Sequence, residues 1–430
     1  MRILMFGWEF PPYISGGLGT ACFGITKALK ELGKEIIFVL PRIRGEKGGT
    51  HVELVSASGI PFYEASPLYE ALQDSLNIRA IDSPLLSYMG EDQYHKLLAK
   101  AYGKRFSYAA EKGELSGDYG PNLLTEVLRY GRVAETIARK ESFDIIHGHD
   151  WTSVFACLHA QRTSGKPYIY HVHALEFDRS GENINRTIYD IEKYGMETAD
   201  HIIAVSHYTK DSVVNRYGIS PEKITVVHNA VSRGESEALR RTEKNGDGKI
   251  VLFLGRITFQ KGPDYFVEAA RLVLESIPEV TFVMAGTGDM MPRMMEKVAE
   301  LQIGRNFRFT GFLRGADVER MYAMSDLYVM PSVSEPFGIS PLEAMLYDVP
   351  VIISKQSGVS EILHHALKVD FWDVRELAGK MIALLMHPSI GDEMSERARE
   401  ELKMIKWEHA AEKIISVYRR ILEKRKGAGS

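Results

Sequence analysis

The sequence predicts an α/β protein built from two doubly wound parallel sheets in tandem, and three observations carry that expectation. Short β-branched runs alternate with stretches of helical periodicity, the pattern of parallel strands covered by helices. The pattern stops at residues 233–248 (RGESEALRRTEKNGDG), which are polar, Gly-bearing and aperiodic, as an exposed linker should be. It restarts directly afterwards, and 430 residues are enough for two such units with room for elaboration.

In the first half the expected strands are Arg2–Gly7, Glu35–Leu40, Phe143–His149, Pro167–His173, His201–Val205 and Ile224–His228. Between the first two, Leu18–Leu32 carries Phe23, Ile25, Leu29 and Leu32 at amphipathic-helix spacing, and Gly33 stands at the expected helix stop. Residues 59–125 break the rhythm. They are rich in Tyr with helical segments, and read as an elaboration of the first unit. Beyond the linker come Lys249–Gly255, a helix from about Pro263 to Ser276, then Val280–Gly286, Phe307–Gly311, Leu327–Met330 and Pro350–Ser354. A last helix, about Glu408 to Lys424, sets Ala411, Ile414, Ile415, Tyr418 and Ile421 on one face, and the tail after it (KRKGAGS) is expected to be disordered. The expected domains are therefore 1–232 and 249–407, with 408–430 as a terminal helix and tail. A ligand is expected in the cleft between the units, beyond the C-terminal strand ends.

Composition narrows the function classes. Hydrophobic residues make up 45% and charged residues 26%, the balance of an ordinary soluble globular protein. Lys plus Arg (53) nearly cancels Asp plus Glu (57), so the basic excess of a nucleic-acid binder is missing. Cys22 and Cys157 are the only cysteines, which argues against a disulfide scaffold or a CxxC zinc site and fits a reducing compartment. No stretch approaches the roughly 20 apolar residues of a spanning helix. Trp8-Glu9-Phe10-Pro11-Pro12 interrupts the first run too early for a signal peptide. A cytoplasmic location is expected.

Four segments could carry chemistry. Gly16-Gly17-Leu18-Gly19 follows the first strand and opens a helix, where a bare backbone can approach a phosphate at a helix N-terminus. Its spacing is not that of the GxGxxG dinucleotide fingerprint, and a tight strand-to-helix turn is the other reading. His147 and His149, two apart at the end of a strand, share one face. A paired-His metal site and a structural hydrogen bond are both open there, with His149 nearer the ligand end. His171 and His173 repeat the arrangement on the next strand, followed by Glu176 and Asp178, with lining and structural roles equally open.

The other two lie beyond the linker. Gly255-Arg256-Ile257-Thr258-Phe259-Gln260-Lys261-Gly262 holds two cations five apart in a Gly-bounded loop, so a fork and a point charge can converge on one diphosphate. Solvated surface charge is the plain alternative. In Ser334-Glu335-Pro336-Phe337-Gly338-Ile339-Ser340-Pro341-Leu342-Glu343-Ala344-Met345, the helix is expected to begin near Ser340, with the Gly338 and Ile339 amides at its N-terminus. Glu335 and Glu343 can then reach different hydroxyls of one ligand. A Ser340/Glu343 capping box is the structural alternative, and it leaves Glu335 unexplained.

Together these motifs resemble a known family. G-G-L-G after the first strand, H-D-W at 149–151, G-R-x4-K-G at 255–262 and E-P-F-G-x4-E-A-M at 335–345 stand in the order and spacing of retaining nucleotide-sugar glycosyltransferases of the GT-B fold, closest to the glycogen and starch synthases. Tyr119-Gly120 and Tyr130-Gly131-Arg132 also resemble a segment of those synthases. The resemblance implies two Rossmann-like domains facing across a cleft, with the last helix crossing back onto the first domain. It implies a hexosyltransferase that moves glucose from an ADP- or UDP-sugar to an α-glucan or oligosaccharide, with no cofactor and no metal. Arg256 and Lys261 would hold the donor diphosphate. Gly16, Gly17, Gly338, Ile339 and Ser340 would complete that cradle. Glu335 would bind hydroxyls of the transferred sugar, Glu343 the ribose, and His149 the sugar near its reacting carbon, while Gly286 and Gly288 would approach the nucleoside.

The sequence departs from the bacterial glycogen synthases at Ile14, where those enzymes carry a phosphate-contacting Lys, at Thr152, and at His228-Asn229-Ala230-Val231-Ser232. These departures point toward the wider group of related transferases. The alternatives are the same chemistry with another sugar or acceptor, such as a mannosyl donor or a lipid-linked or exopolysaccharide glycan, a metal-dependent hydrolase using the paired histidines, and an inactive sugar-nucleotide binding protein.

Overall fold

The computed structural model describes residues 1–11, 16–43, 51–60, 115, 117, 123–232 and 248–428. Most of the 59–125 elaboration, the linker up to residue 247, Ile14 and Tyr119-Gly120 lie outside the described residues. The chain forms two compact units. The first comprises Met1–Phe177, Glu182–His228 and Trp407–Ser430, and the second Asp178–Gly181 and Asn229–Lys406.

The first unit runs β1 (Arg2–Phe6), α1 (Gly17–Glu31), β2 (Glu35–Leu40), β3 (Glu53–Ser56), α2 (Leu123–Lys140), β4 (Ile145–His149), α3 (Val154–Ser164), β5 (Tyr168–Val172), α4 (Glu176–Ser180), α5 (Arg186–Thr198), β6 (His201–Ala204), α6 (His207–Tyr217) and β7 (Ile224–Val226). Its seven strands form one sheet in the order β3-β2-β1-β4-β5-β6-β7, and every pairing is parallel. Ile3 to Phe6 and Ile36 to Val39 are all buried, on both faces of the sheet. That explains why these strands read as unbroken apolar runs rather than alternating ones. Gly33 ends α1 at φ +73°, the left-handed conformation a helix stop needs.

The second unit repeats the plan with β8 (Ile250–Leu254), α7 (Pro263–Ser276), β9 (Thr281–Ala285), α8 (Met291–Glu300), β10 (Phe307–Gly311), α9 (Ala316–Met324), β11 (Leu327–Met330), α10 (Ser340–Leu346), β12 (Val351–Ser354), β13 (Leu367–Val369), α11 (Val374–Met386) and α12 (Pro388–Leu402). The sheet order is β10-β9-β8-β11-β12-β13. In both sheets the direction of winding reverses once, between β1 and β4 and between β8 and β11. Such switch points open a crevice at the carboxyl ends of the strands, where ligands bind in this architecture.

The last helix, α13 (Trp407–Ala428), belongs to the first unit. Its Trp407 indole lies so close over Gly24 of α1 that a Cβ there would stand 2.2 Å from it. Further along, Arg420 Nη2 lies 2.9 Å from His201 Nε2. The expected disordered tail is corrected here: the helix continues to Ala428. Arg425 explains the extension, donating to Asp200 Oδ1 at 2.9 Å and to the Gly165 carbonyl at 2.5 Å.

Candidate active site

In the second unit the site residues gather around the carboxyl ends of β8 and β11. The chain leaves β8 through Gly255, and the loop beyond is laced to the loop after β9. Gly255 N donates to the Ala285 carbonyl at 3.0 Å, Ile257 N to Thr287 at 3.0 Å, and Met290 N to Ile257 at 3.0 Å. This contact leaves no room for side chains. A Cβ on Gly286 would sit 1.9 Å from the Gly255 oxygen, and one on Gly288 would sit 2.2 Å from the Ile257 oxygen. Both glycines are therefore demanded by backbone packing, whatever approaches them from outside.

Lys261 closes a short turn, Phe259–Lys261, and its ammonium pairs directly with the Glu335 carboxylate. Ser332 Oγ also donates to Glu335 Oε2, at 3.4 Å. The backbone of Glu335 is fixed on both sides, since its N–H donates to the Gln356 carbonyl at 3.0 Å and its carbonyl accepts from Gly358 N at 2.9 Å. Lys261, Ser332, Tyr328 and Ser340 line one small cavity. The two sequence motifs on either side of the unit thus meet. Arg256 is close enough to Asp289 to oppose the upward push that burial gives that carboxyl.

Gly338 has φ +99°, and a Cβ there would crowd Met330 at 3.1 Å, so this turn also requires glycine. The amides of Gly338 and Ile339 donate to no acceptor among the described residues. The capping box does not form. Ser340 lies inside α10 with Ile339 at the cap position, and Glu343 turns instead to Tyr322, whose hydroxyl donates to Oε2 at 3.0 Å. Burial raises the Glu343 pKa above the ordinary carboxyl range, and the Tyr322 hydrogen bond works in the opposite direction. Sequence reasoning missed Tyr322. It falls on the apolar stripe of α9, and nothing local marks a partner 21 residues away.

The first unit contributes a different kind of site. Among the described residues no atom lies within 4 Å of a Cβ added to Gly16 or Gly17, and Gly16 is extended at φ −168°. Among the described residues neither backbone conformation nor packing requires glycine at these two positions. Gly16 N donates to the Glu9 carboxylate at 3.2 Å, so an anion already sits at the start of α1.

Beside it, four histidines stack on the face of β4 and β5 that the two-residue spacing predicts. The His147 and His149 rings lie 4.5 Å apart at 23°, and His171 and His173 lie 4.2 Å apart at 24°. His147 is structural: one ring nitrogen pairs with the Tyr418 hydroxyl of α13 and the other lies 3.1 Å from His171 Nδ1. His149 Nδ1 lies 2.9 Å from His173 Nε2, while its Nε2 is buried without a partner among the described residues. Burial drives His147 and His173 down to about 3 and holds His149 and His171 well below the usual range, so all four are neutral imidazoles. Cys22, His149 and His173 bring one donor atom each within 4.8 Å of one another, as do His147, His149 and His171. Nitrogen and thiol donors of this kind suit zinc. Glu176 serves the fold, accepting from Asn185 N at 2.9 Å. Asp178, in the short segment grouped with the second unit, accepts from Ser334 Oγ at 2.5 Å.

Comparison with known proteins fits this arrangement. The profile described as "Glycosyl transferases group 1" matches residues 235–401, and that of "Glycosyltransferase Family 4" matches 98–234. Glycogen synthase of Mycobacterium tuberculosis is 23% identical over 97% of this chain and 94% of its own length. Among solved structures, sucrose-phosphate synthase from Thermosynechococcus elongatus superposes with a TM-score of 0.72 at 18% identity, covering 98% of this chain and 99% of that one. Anabaena HepE in complex with UDP-glucose gives a TM-score of 0.65 at 17% identity, over 97% and 99% of the two chains. No helix among the described residues is long and apolar enough to cross a membrane. With two parallel α/β units, both wound about a switch point, the chain belongs to the group 1 glycosyltransferases and has the GT-B fold.

Proposed function

We propose that this chain is a retaining hexosyltransferase of the cytoplasm that moves glucose from a nucleoside-diphosphate sugar to an α-glucan or related oligosaccharide without a catalytic metal. One observation carries the reading: Lys261 and Glu335, drawn from two separate motifs, meet at the β8/β11 switch point beside Ser340, with two unengaged amides at Gly338 and Ile339. A diphosphate leaving group gathers negative charge as the glycosyl bond breaks, and fixed cations and N–H dipoles are what stabilise it. Arg256 and Lys261 supply the cations. Gly338, Ile339 and Ser340 supply donors, and Gly16 and Gly17 leave open backbone on the first unit. Glu335 then exchanges Lys261 for hydroxyls of the sugar, Glu343 takes the ribose, and the unpartnered Nε2 of His149 supports a contact with the sugar. Glycogen synthase among the relatives favours a glucan acceptor, and the UDP-glucose complex of HepE favours a nucleotide-sugar donor.

The test is purified protein in EDTA with ADP-, GDP- and UDP-sugars, with and without glycogen or maltooligosaccharides. Nucleotide release that depends on a glucan and lengthens it is expected. Lys261→Ala and Arg256→Ala should each lower turnover by roughly a hundredfold or more. Release without glucan dependence would move the acceptor elsewhere. No release from any donor would overturn the reading in favour of an inactive binding protein.

A further inference from the structure

Glu343 is a carboxylate held among three tyrosines from three different elements. The Tyr322 hydroxyl, on α9, donates to its Oε2 at 3.0 Å. The Tyr322 ring is 1% exposed, stacked on Tyr347 at 5.9 Å and 18°, and set edge-on to Tyr328 at 6.0 Å and 60°. Tyr322 therefore has almost no freedom to move. The Tyr328 hydroxyl is engaged elsewhere, donating to the Leu254 carbonyl at 3.3 Å, and Ser340 lines the same small cavity as Tyr328. Glu343 itself is half-buried, with one carboxylate oxygen held by Tyr322.

A carboxylate on a flexible side chain is a poor partner for a vicinal diol, because two hydroxyls must be met at a fixed angle. Clamping one oxygen removes the rotational freedom that binding would otherwise have to remove. We propose that Tyr322 is a positioning residue, which fixes one oxygen of Glu343 so that the other is presented to the 2′- and 3′-hydroxyls of the donor's ribose. This rests on the ribose assignment of Glu343 and adds to it a residue that never touches the ligand.

The experiment compares the wild-type chain with Tyr322→Phe, which keeps the ring and removes one oxygen. Each is titrated calorimetrically with ADP, GDP and UDP, and the nucleotide that binds is then compared with its 2′-deoxy form. Tyr322→Phe should weaken the ribonucleotide about tenfold. It should weaken the 2′-deoxy form less, because only the 3′-hydroxyl is left to meet Glu343, so that the penalty for the missing hydroxyl shrinks. In a Glu343→Ala background the same change should cost nothing further. Equal weakening of ribo and deoxy forms, or the same loss with and without Glu343, would make Tyr322 merely structural and overturn the proposal. Wild-type protein that binds the ribo and deoxy forms equally would also overturn it. A wild-type chain that binds none of the three nucleotides overturns the donor site itself, a separate and recognisable failure.

Discussion

Acidification should unfold the first unit well before ordinary carboxylate chemistry does, because four neutral histidines are packed into one stack. His147 and His173 are held to about 3, and His149 and His171 well below their usual range, all by burial. In the unfolded chain each recovers a pKa of about 6.5. The native state therefore stays unprotonated while the unfolded state takes up protons. Stability is full above that unfolded value and is lost as the pH falls toward the folded values. Between about pH 7.5 and about pH 5.5 His147 and His173 each remove about 1.4 kcal/mol, about 3 kcal/mol together, and His149 and His171 act in the same direction. His159 and His201, held to about 4, add to the same slope. Tryptophan fluorescence reads the right unit: Trp8, Trp151 and Trp407 are buried in the first, whereas Trp372 in the second is 58% exposed. Urea melts followed by this signal should show a steep loss across the window. His173→Gln, uncharged throughout, should recover about 1.4 kcal/mol of it. A midpoint that stays level from neutral to mildly acid pH, or a variant with the wild-type pH dependence, would refute the reasoning.

Three further outcomes follow from the glycines and the last helix. Gly286→Ala and Gly288→Ala drive a methyl into a carbonyl at 1.9 and 2.2 Å and should cost about 2–4 kcal/mol by urea melt. Gly16→Ala and Gly17→Ala meet no atom within 4 Å among the described residues and should stay within about 0.5 kcal/mol of wild type while donor turnover falls. Unchanged turnover in both would leave that loop without a role. Trp407→Ala should cost about 3–5 kcal/mol by opening a cavity over Gly24, and a melt within 1 kcal/mol of wild type would show that α13 is only loosely docked.

Much of the fold is legible because its strands are buried on both faces. Ile36–Leu40 and Leu327–Met330 are continuous apolar runs, and the strands that hold them end where the runs end. β3 and β13 escaped for the opposite reason: they are short outer strands, half-exposed for most of their length, and carry no pattern beyond three or four residues. The site divides in the same way. Lys261 and Glu335 were each legible as candidate site residues from their motifs, but their pairing depends on β8 and β11 being neighbours, which strand order along the chain does not show. The Tyr418 contact of His147 was not legible, because its partner lies 271 residues on and reaches it only by the return of α13. For Gly286 and Gly288, residue type was legible and its cause was not. Glycine at a strand end fits a nucleoside's approach and a neighbouring backbone's approach equally well in sequence, and only the 1.9 Å and 2.2 Å clearances show that the backbone requires them.

The Lys261–Glu335 pair bears on how a donor would enter. An ammonium and a carboxylate of which only 21% and 8% are exposed hold each other in the free chain. Breaking such a pair by removing one partner leaves a charge without compensation, typically at a cost of about 3–5 kcal/mol. On the proposed reading, a nucleotide sugar avoids that cost because it supplies both replacements at once, phosphate for the lysine and hydroxyls for the carboxylate. A free nucleotide supplies only the first, and a free sugar only the second. The pair therefore acts as a selectivity element that favours the intact donor over either of its halves. Glu335→Gln, which lacks the charge that holds Lys261, should narrow the gap in affinity between the nucleotide sugar and the free nucleoside diphosphate, chiefly by strengthening the latter. Calorimetry that finds the gap unchanged would mean that the pair opens at no cost, and that Lys261 and Glu335 meet the donor independently.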